Sequence, residues 1–193
     1  MGDAGGTDRL HFTGDEQADR LLAAEPMALL IGFALDQQVT VQKAFSGPLE
    51  LKRRIGTLDA TRIAELPLPE LVAAFQARPA LHRFPGAMAR RVQDLAAYVR
   101  NEYGGEAARL WTEAPDASAL RQRIAQLPGF GEMKVSGLTA VLVKRLGVQP
   151  PGWQDALPDH PTLGDVDSAE ALELYQARKR AHKAELRAAG GLQ

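Results

Sequence analysis

The chain contains no cysteine. This excludes disulfides, thiolate-held zinc and cysteine-held iron-sulfur clusters, and it fits a reducing compartment. Long hydrophobic runs are also lacking. The longest, Met27 to Leu35, is too short to span a bilayer. No basic segment followed by an apolar stretch opens the chain, so no signal peptide is expected. The expectation is a soluble, monomeric cytoplasmic protein with no membrane partner, nucleoid-associated if bacterial. There is little excess of either charge: the formal net charge is −1, which weakens any general argument for nucleic-acid binding. The 4 histidines are scattered without metal-ligand spacing, so no side-chain metal site is expected. Strand signals are nearly absent, the one exception being "RLHF" near the N-terminus, and there is no internal repeat.

What is present is a chain of 193 residues, 45% hydrophobic, long enough for one domain or two small lobes sharing a cleft. Almost every segment reads as helix. "DEQADRLLAAE" begins with acidic residues suited to a helix N-terminus. Pro26 suits a first helical turn, and "MALLIGFAL" is apolar all round, which predicts a central buried helix. It runs into the polar "DQQVT", Asp36 to Thr40. "GPLELKRRIG" places Gly-Pro punctuation ahead of a short helix. "TLDATRIAEL" and "PLPELVAAFQ" read as two short helices. Met88, Val92, Leu95 and Val99 recur at helical spacing ahead of Gly104-Gly105. "DASALRQRIAQL" follows, capped by Asp116 or Ser118. A second helix runs from about Glu132 to Leu146, then comes a proline-rich connection with room for one short helix. "SAEALELYQARKRAHKAELRAA" closes the chain as a basic amphipathic helix. The expected domain covers residues 14–187, with flexible segments at 1–13 and 188–193. Acidic residues are common in the first seventy positions, and basic ones gather later, so a one-sided basic surface is compatible with the near-zero net charge.

The turn Leu127-Pro128-Gly129-Phe130-Gly131 carries the sharpest signal. Its glycines permit positive φ and close backbone approach. The amides from Gly129 to Met133 stand at the start of a new helix, lack intrahelical partners and so form an anion site aided by the helix dipole. Lys134 adds charge, while Leu127 and Phe130 pin the turn to the core. A phosphate held this way positions a nucleic-acid backbone without reading its sequence.

"LPGFGEMKVSGLTAVL" resembles the helix-hairpin-helix of the base-excision DNA glycosylases, the superfamily of endonuclease III, the adenine glycosylases and 3-methyladenine glycosylase II. "EPMALLIGFALDQQVTVQKA" is similar to that family's early buried helix and its polar glutamine loop. "LHRFPGAMARRVQDLAAYVRNEYGGE" resembles the helix that precedes the hairpin. The order holds from Glu25 to Leu146, with the hairpin at about 118–146. The resemblance implies an all-α, two-lobed fold with a cleft between the lobes. It also implies duplex DNA with a damaged base as partner, and hydrolysis of the N-glycosidic bond of a flipped, alkylated or deaminated base. It implies no cofactor beyond a monovalent cation held by hairpin carbonyls.

Carried onto this chain, the resemblance makes Gln37 and Gln38 the wedge and pocket residues, with Gln38 the gap-filler. Pro128, Gly129, Phe130, Gly131, Met133 and Lys134 become DNA contacts. The glycosidic bond breaks with positive charge on the sugar, which a carboxylate stabilises. The family's aspartate window falls on Pro151 to Trp153, where there is none. Asp155, the Asp165/Asp167 pair, and Asp36 in the place of the loop's usual serine stand as alternatives, one of them expected to be catalytic. Bifunctional relatives carry a lysine at the position of Met133. Here it comes one residue later, about 100° around the helix, so Lys134 is expected to turn from the pocket and the enzyme to lack lyase activity. Trp153 is the expected stacking residue of the base pocket. The missing aspartate also admits a non-catalytic hairpin protein that binds damaged or structured DNA, and the near-neutral charge admits a protein-interaction module.

Overall fold

The computed structural model describes residues 6–188. Every regular element among them is helical: α1 (Glu16–Ala24), α2 (Pro26–Leu35), α3 (Val41–Ile55), α4 (Ala60–Glu65), α5 (Leu68–Gln76), α6 (Pro85–Tyr103), α7 (Arg109–Thr112), α8 (Ala117–Ala125), α9 (Glu132–Lys144), α10 (Trp153–Ala156), a 3-10 turn (Leu163–Asp165) and α11 (Ala169–Ala188). The protein is all-α. "RLHF" forms no strand: Leu10 and Phe12 turn fully into the core, and the Leu10 amide donates to the Asp19 carbonyl at 3.0 Å.

α2 is the axis. Pro26 opens it, and every residue from Met27 to Leu35 is buried. An element with no polar face has to be wrapped, and α1, α3 and α6 pack around it. α3 is longer than Gly47-Pro48 suggested, because the pair sits inside the helix instead of ahead of it. Pro48 forfeits one backbone bond, but both residues are buried against α2, where a side chain at 47 would meet Leu35 Cδ1 at 2.6 Å. The close helix contact outweighs the lost hydrogen bond. α6 buries Met88, Val92, Leu95 and Val99 and stops at Gly104, at φ +63°; α4 and α5 cover it.

α9 is a second central helix, buried from Val135 to Val143. The 3-10 turn lies directly on it at Gly164, where a Cβ would meet the Ala140 backbone at 2.6 Å. α11 is anchored by buried Leu172 and by reciprocal amide bonds between Gln42 and Gln176. From Ala177 onward every described side chain is exposed.

The expected flexible segment at 1–13 is corrected over its described part. Buried Asp19 accepts from the Phe12 and Thr13 amides and the Thr13 hydroxyl, each at 3.0 Å. The Thr7 amide donates to the Arg145 carbonyl at 2.9 Å. These bonds and the burial of Leu10 and Phe12 make residues 6–13 part of the domain. Residues 1–5, and the expected tail beyond Ala188, lie outside the described residues.

Candidate functional site

α2 ends at Asp36, and the chain turns sharply there, the Gln37 amide donating to the Leu35 carbonyl at 2.7 Å. Gln38 follows at φ +56°, the only non-glycine residue with positive φ among those described. Such a conformation costs on the order of 1–3 kcal/mol and persists only where the surroundings impose it. His82 imposes it. Its Nδ1 accepts from the Phe84 amide at 3.0 Å, which leaves the proton on Nε2 to donate to the Gln37 carbonyl, also at 3.0 Å. Burial holds His82 below the usual imidazole pKa, helped by Arg83 and Arg91, against the carbonyls of Gln37 and Leu35. Gln37 and Gln38 are both exposed, and Gln37 Oε1 accepts from Arg91.

Asp36 faces a cavity of about 150 Å³ whose walls include Phe33, Met133, Lys134, Gly137, Leu163, Tyr175 and Lys179. Its half-buried carboxylate accepts no hydrogen bond from any described residue, and no described cation closes to the 4.0 Å of an ion pair with it. Burial raises its pKa, while the more distant Lys179 and Lys134 act the other way. A desolvated carboxylate that faces a cavity is a candidate functional group.

Lys134 corrects an expectation. Its half-buried amine donates to the Ala34 carbonyl at 3.3 Å, capping the open end of α2, and it lines the Asp36 cavity. Burial, with Arg91 nearby, brings it down to about 8, against the pull of Asp36. Met133 is the residue that turns outward, 74% exposed. The step of about 100° between neighbours is real, but the Lys134 side chain still reaches the Ala34 carbonyl at the end of α2.

The other expected aspartates do not join this cavity. Asp155 is exposed, on α10, in a separate groove with Asp116 and Arg121. Asp165 caps the 3-10 turn, accepting from the Thr162 amide at 2.8 Å, and pairs with Lys144. Burial pushes its pKa up, but the bonds from Lys144 and Thr162 outweigh this and leave it lowered. Asp167 is exposed just before α11. Trp153 does not line the cavity; its aromatic walls are Phe33 and Tyr175, and the Tyr175 hydroxyl is pushed up to about 12 by burial and by the charges of Asp36 and Asp165. Reasoning from sequence missed Tyr175 and Lys179. Their signal was the stripe that starts at buried Leu172 and continues to Tyr175 and Lys179, at three- and four-residue spacing.

The hairpin lies beside this cavity. Leu127 and Phe130 are buried, Gly129 takes φ +78°, and a side chain there would meet Arg91 Nε at 3.1 Å. The amides of Gly129, Gly131, Glu132 and Met133 donate to no described backbone group, and α9 has no side-chain cap. They border an open groove shared with Gln37, Arg91 and Lys134, and Arg90 and half-buried Pro128 flank the next. The carboxylate of Glu132 is occupied by Arg121 and by the Ser136 hydroxyl. The carbonyls of Gln126, Pro128 and Gly129 accept no hydrogen bond from described groups. Among the described residues no cluster of His, Asp and Glu forms a metal site, and no helix is long and apolar enough to cross a membrane.

No protein-family model, curated protein or solved structure matches this chain.

His82 generates a pH test. Its folded pKa lies below its unfolded value of about 6.5, so the unfolded chain binds the extra proton first. Its contribution to stability is full above about pH 6.5 and is lost as pH falls from there towards the folded value. Denaturant unfolding of wild type should show this loss between pH 7.5 and 5.5, and His82→Gln should lack that part of the slope. Parallel pH dependences in the two proteins would contradict the assignment.

Proposed function

We propose that the protein is a base-excision DNA glycosylase of the two-lobed helix-hairpin-helix class, with Asp36 as its catalytic carboxylate. The observation that carries this reading is the unpaired, desolvated Asp36 carboxylate in a cavity that adjoins a hairpin with four unpartnered amides. The amides and Arg91 take backbone phosphates. Gln38, held proud of its loop by strained geometry, fills the gap left by the flipped nucleotide. The flipped nucleotide enters the cavity, and the positive charge that develops on its sugar is stabilised by Asp36. Desolvation raises the energy of the free carboxylate but not that of its pairing with a cation, so the interaction is stronger in the transition state than before it.

At pH 7 a lysine with a pKa near 8 is roughly nine-tenths ammonium, so water is the leading nucleophile and the strand stays intact. The same pKa favours a second reading. The remaining amine, facing the cavity beside Asp36, would form a Schiff base with the sugar and cut the strand.

Duplexes each carrying one damaged base test both. The proposal expects free base from at least one duplex, strand breaks only after hot alkali, and no adduct on borohydride treatment. An adduct absent in Lys134→Ala establishes the second reading. Binding without release from any duplex establishes the non-catalytic hairpin protein instead.

The hairpin makes its own prediction. Gly131 is exposed, with nothing within 4 Å of a Cβ, so Gly131→Asp folds and sets a carboxylate among the amides. Affinity for all duplexes should fall roughly tenfold or more, from the loss of at least one charge-assisted phosphate contact. Unchanged affinity in a folded variant would remove the hairpin from the DNA interface.

A further inference from the structure

We infer that the cavity is built for a base that leaves as an anion, a neutral deaminated or oxidised base, and against a base that is itself cationic, such as a ring-alkylated purine. The inference rests on the base-excision reading and narrows its substrate class.

The charges around the cavity set the preference. Two ammoniums face it from different elements, Lys134 from α9 and Lys179 from α11, against the single carboxylate of Asp36. Lys134 is fixed by its bond to the Ala34 carbonyl and by the Phe130 ring, 5.7 Å from its nitrogen. Lys179 stands 5.9 Å from the centre of the Tyr175 ring. Phe33, Leu163 and Gly137 supply apolar wall, and His160 and Thr162 add polar groups that carry no negative charge. The volume, about 150 Å³, suits one flat ring system and is well below the ~300–1,000 Å³ of drug-sized pockets. A cationic base entering here meets a net positive surround in a place of low dielectric, where like charges repel strongly. A neutral base meets no such barrier.

The chemistry favours the same class. An alkylated purine departs as a neutral molecule and needs no help at the leaving group. A neutral base does. Its C1′–N bond breaks with both electrons going to the base nitrogen, and the negative charge is stabilised by the two ammoniums. The base nitrogen takes a proton from the Lys134 ammonium. Water adds to C1′ and gives its proton to Asp36, from which it returns through solvent to Lys134. The products are the protonated free base and an abasic sugar, so one water is consumed and the charges balance.

The experiment compares single-turnover release from duplexes carrying uracil, hypoxanthine, 8-oxoguanine or 7-methylguanine, each divided by its spontaneous rate. Enhancement for at least one neutral lesion should exceed that for 7-methylguanine by roughly 100-fold, the scale of one removed electrostatic stabiliser. Lys179→Glu should lower the enhancement for the neutral lesion and raise that for 7-methylguanine. Lys179→Gln should fall between, separating charge from shape. Equal or greater enhancement for 7-methylguanine, or a Lys179→Glu effect identical on both classes, overturns the inference and leaves base excision standing. Release of no base from any duplex overturns both.

Discussion

The Asp36 carboxylate, held at the end of the most buried helix and left without a partner, is the constraint around which the rest is arranged. A negative charge at a helix C-terminus is disfavoured by the dipole, and half-burial adds to the cost. The protein offsets this without neutralising it. Lys134 takes the Ala34 carbonyl beside Asp36, and Lys179 lines the same cavity from α11. Burial outweighs attraction on both sides, so Asp36 is raised and Lys134 lowered to about 8. Three distant stretches of chain are thereby brought to one small space, with no ion pair among the described residues closing it.

The fold supports this arrangement through close backbone contacts. Gly164 lets the 3-10 turn lie on α9, which sets Leu163 in the cavity wall. Leu127 and Phe130 fix the hairpin so that its helix begins beside Asp36. Buried His82 holds the loop that carries Gln37 and Gln38. The near-zero net charge conceals a division of labour. The acidic residues near the N-terminus are largely consumed locally, Asp8 and Glu16 by Arg9 and Arg20. The described basic residues of the exposed half of α11, such as Arg178 and Arg180, form no ion pair with a described acid.

Helices were legible where one rule dominated: the all-apolar α2, the periodic face of α6, the Asp116 cap of α8, and the glycine hairpin. The sequence misled where tertiary contact overrode local grammar. Gly47-Pro48 reads as punctuation, yet α3 continues through it because α2 needs the close approach. Leu10 and Phe12 look like part of a loose end until Asp19 gathers their backbone. Lys134 illustrates the limit most clearly. Its angular offset from Met133 follows from helix geometry, but that its amine also reaches the cavity depends on how α9 is rotated against α2, which no local pattern encodes. Asp36 was legible only as one of several alternatives, since its isolation from every described partner is a property of the folded molecule. Tyr175 and Lys179 were hidden because a basic helix at a chain end reads as a solvated one.

The central claim is that the unpaired Asp36 stabilises positive charge on a flipped nucleotide's sugar. Single-turnover base release by Asp36→Asn, measured beside duplex binding by the same protein, tests it most directly. The amide keeps the shape and removes the charge, so release should fall on the order of 100- to 1000-fold while affinity holds or rises. Release at the wild-type rate from a folded, DNA-binding Asp36→Asn protein would contradict the account.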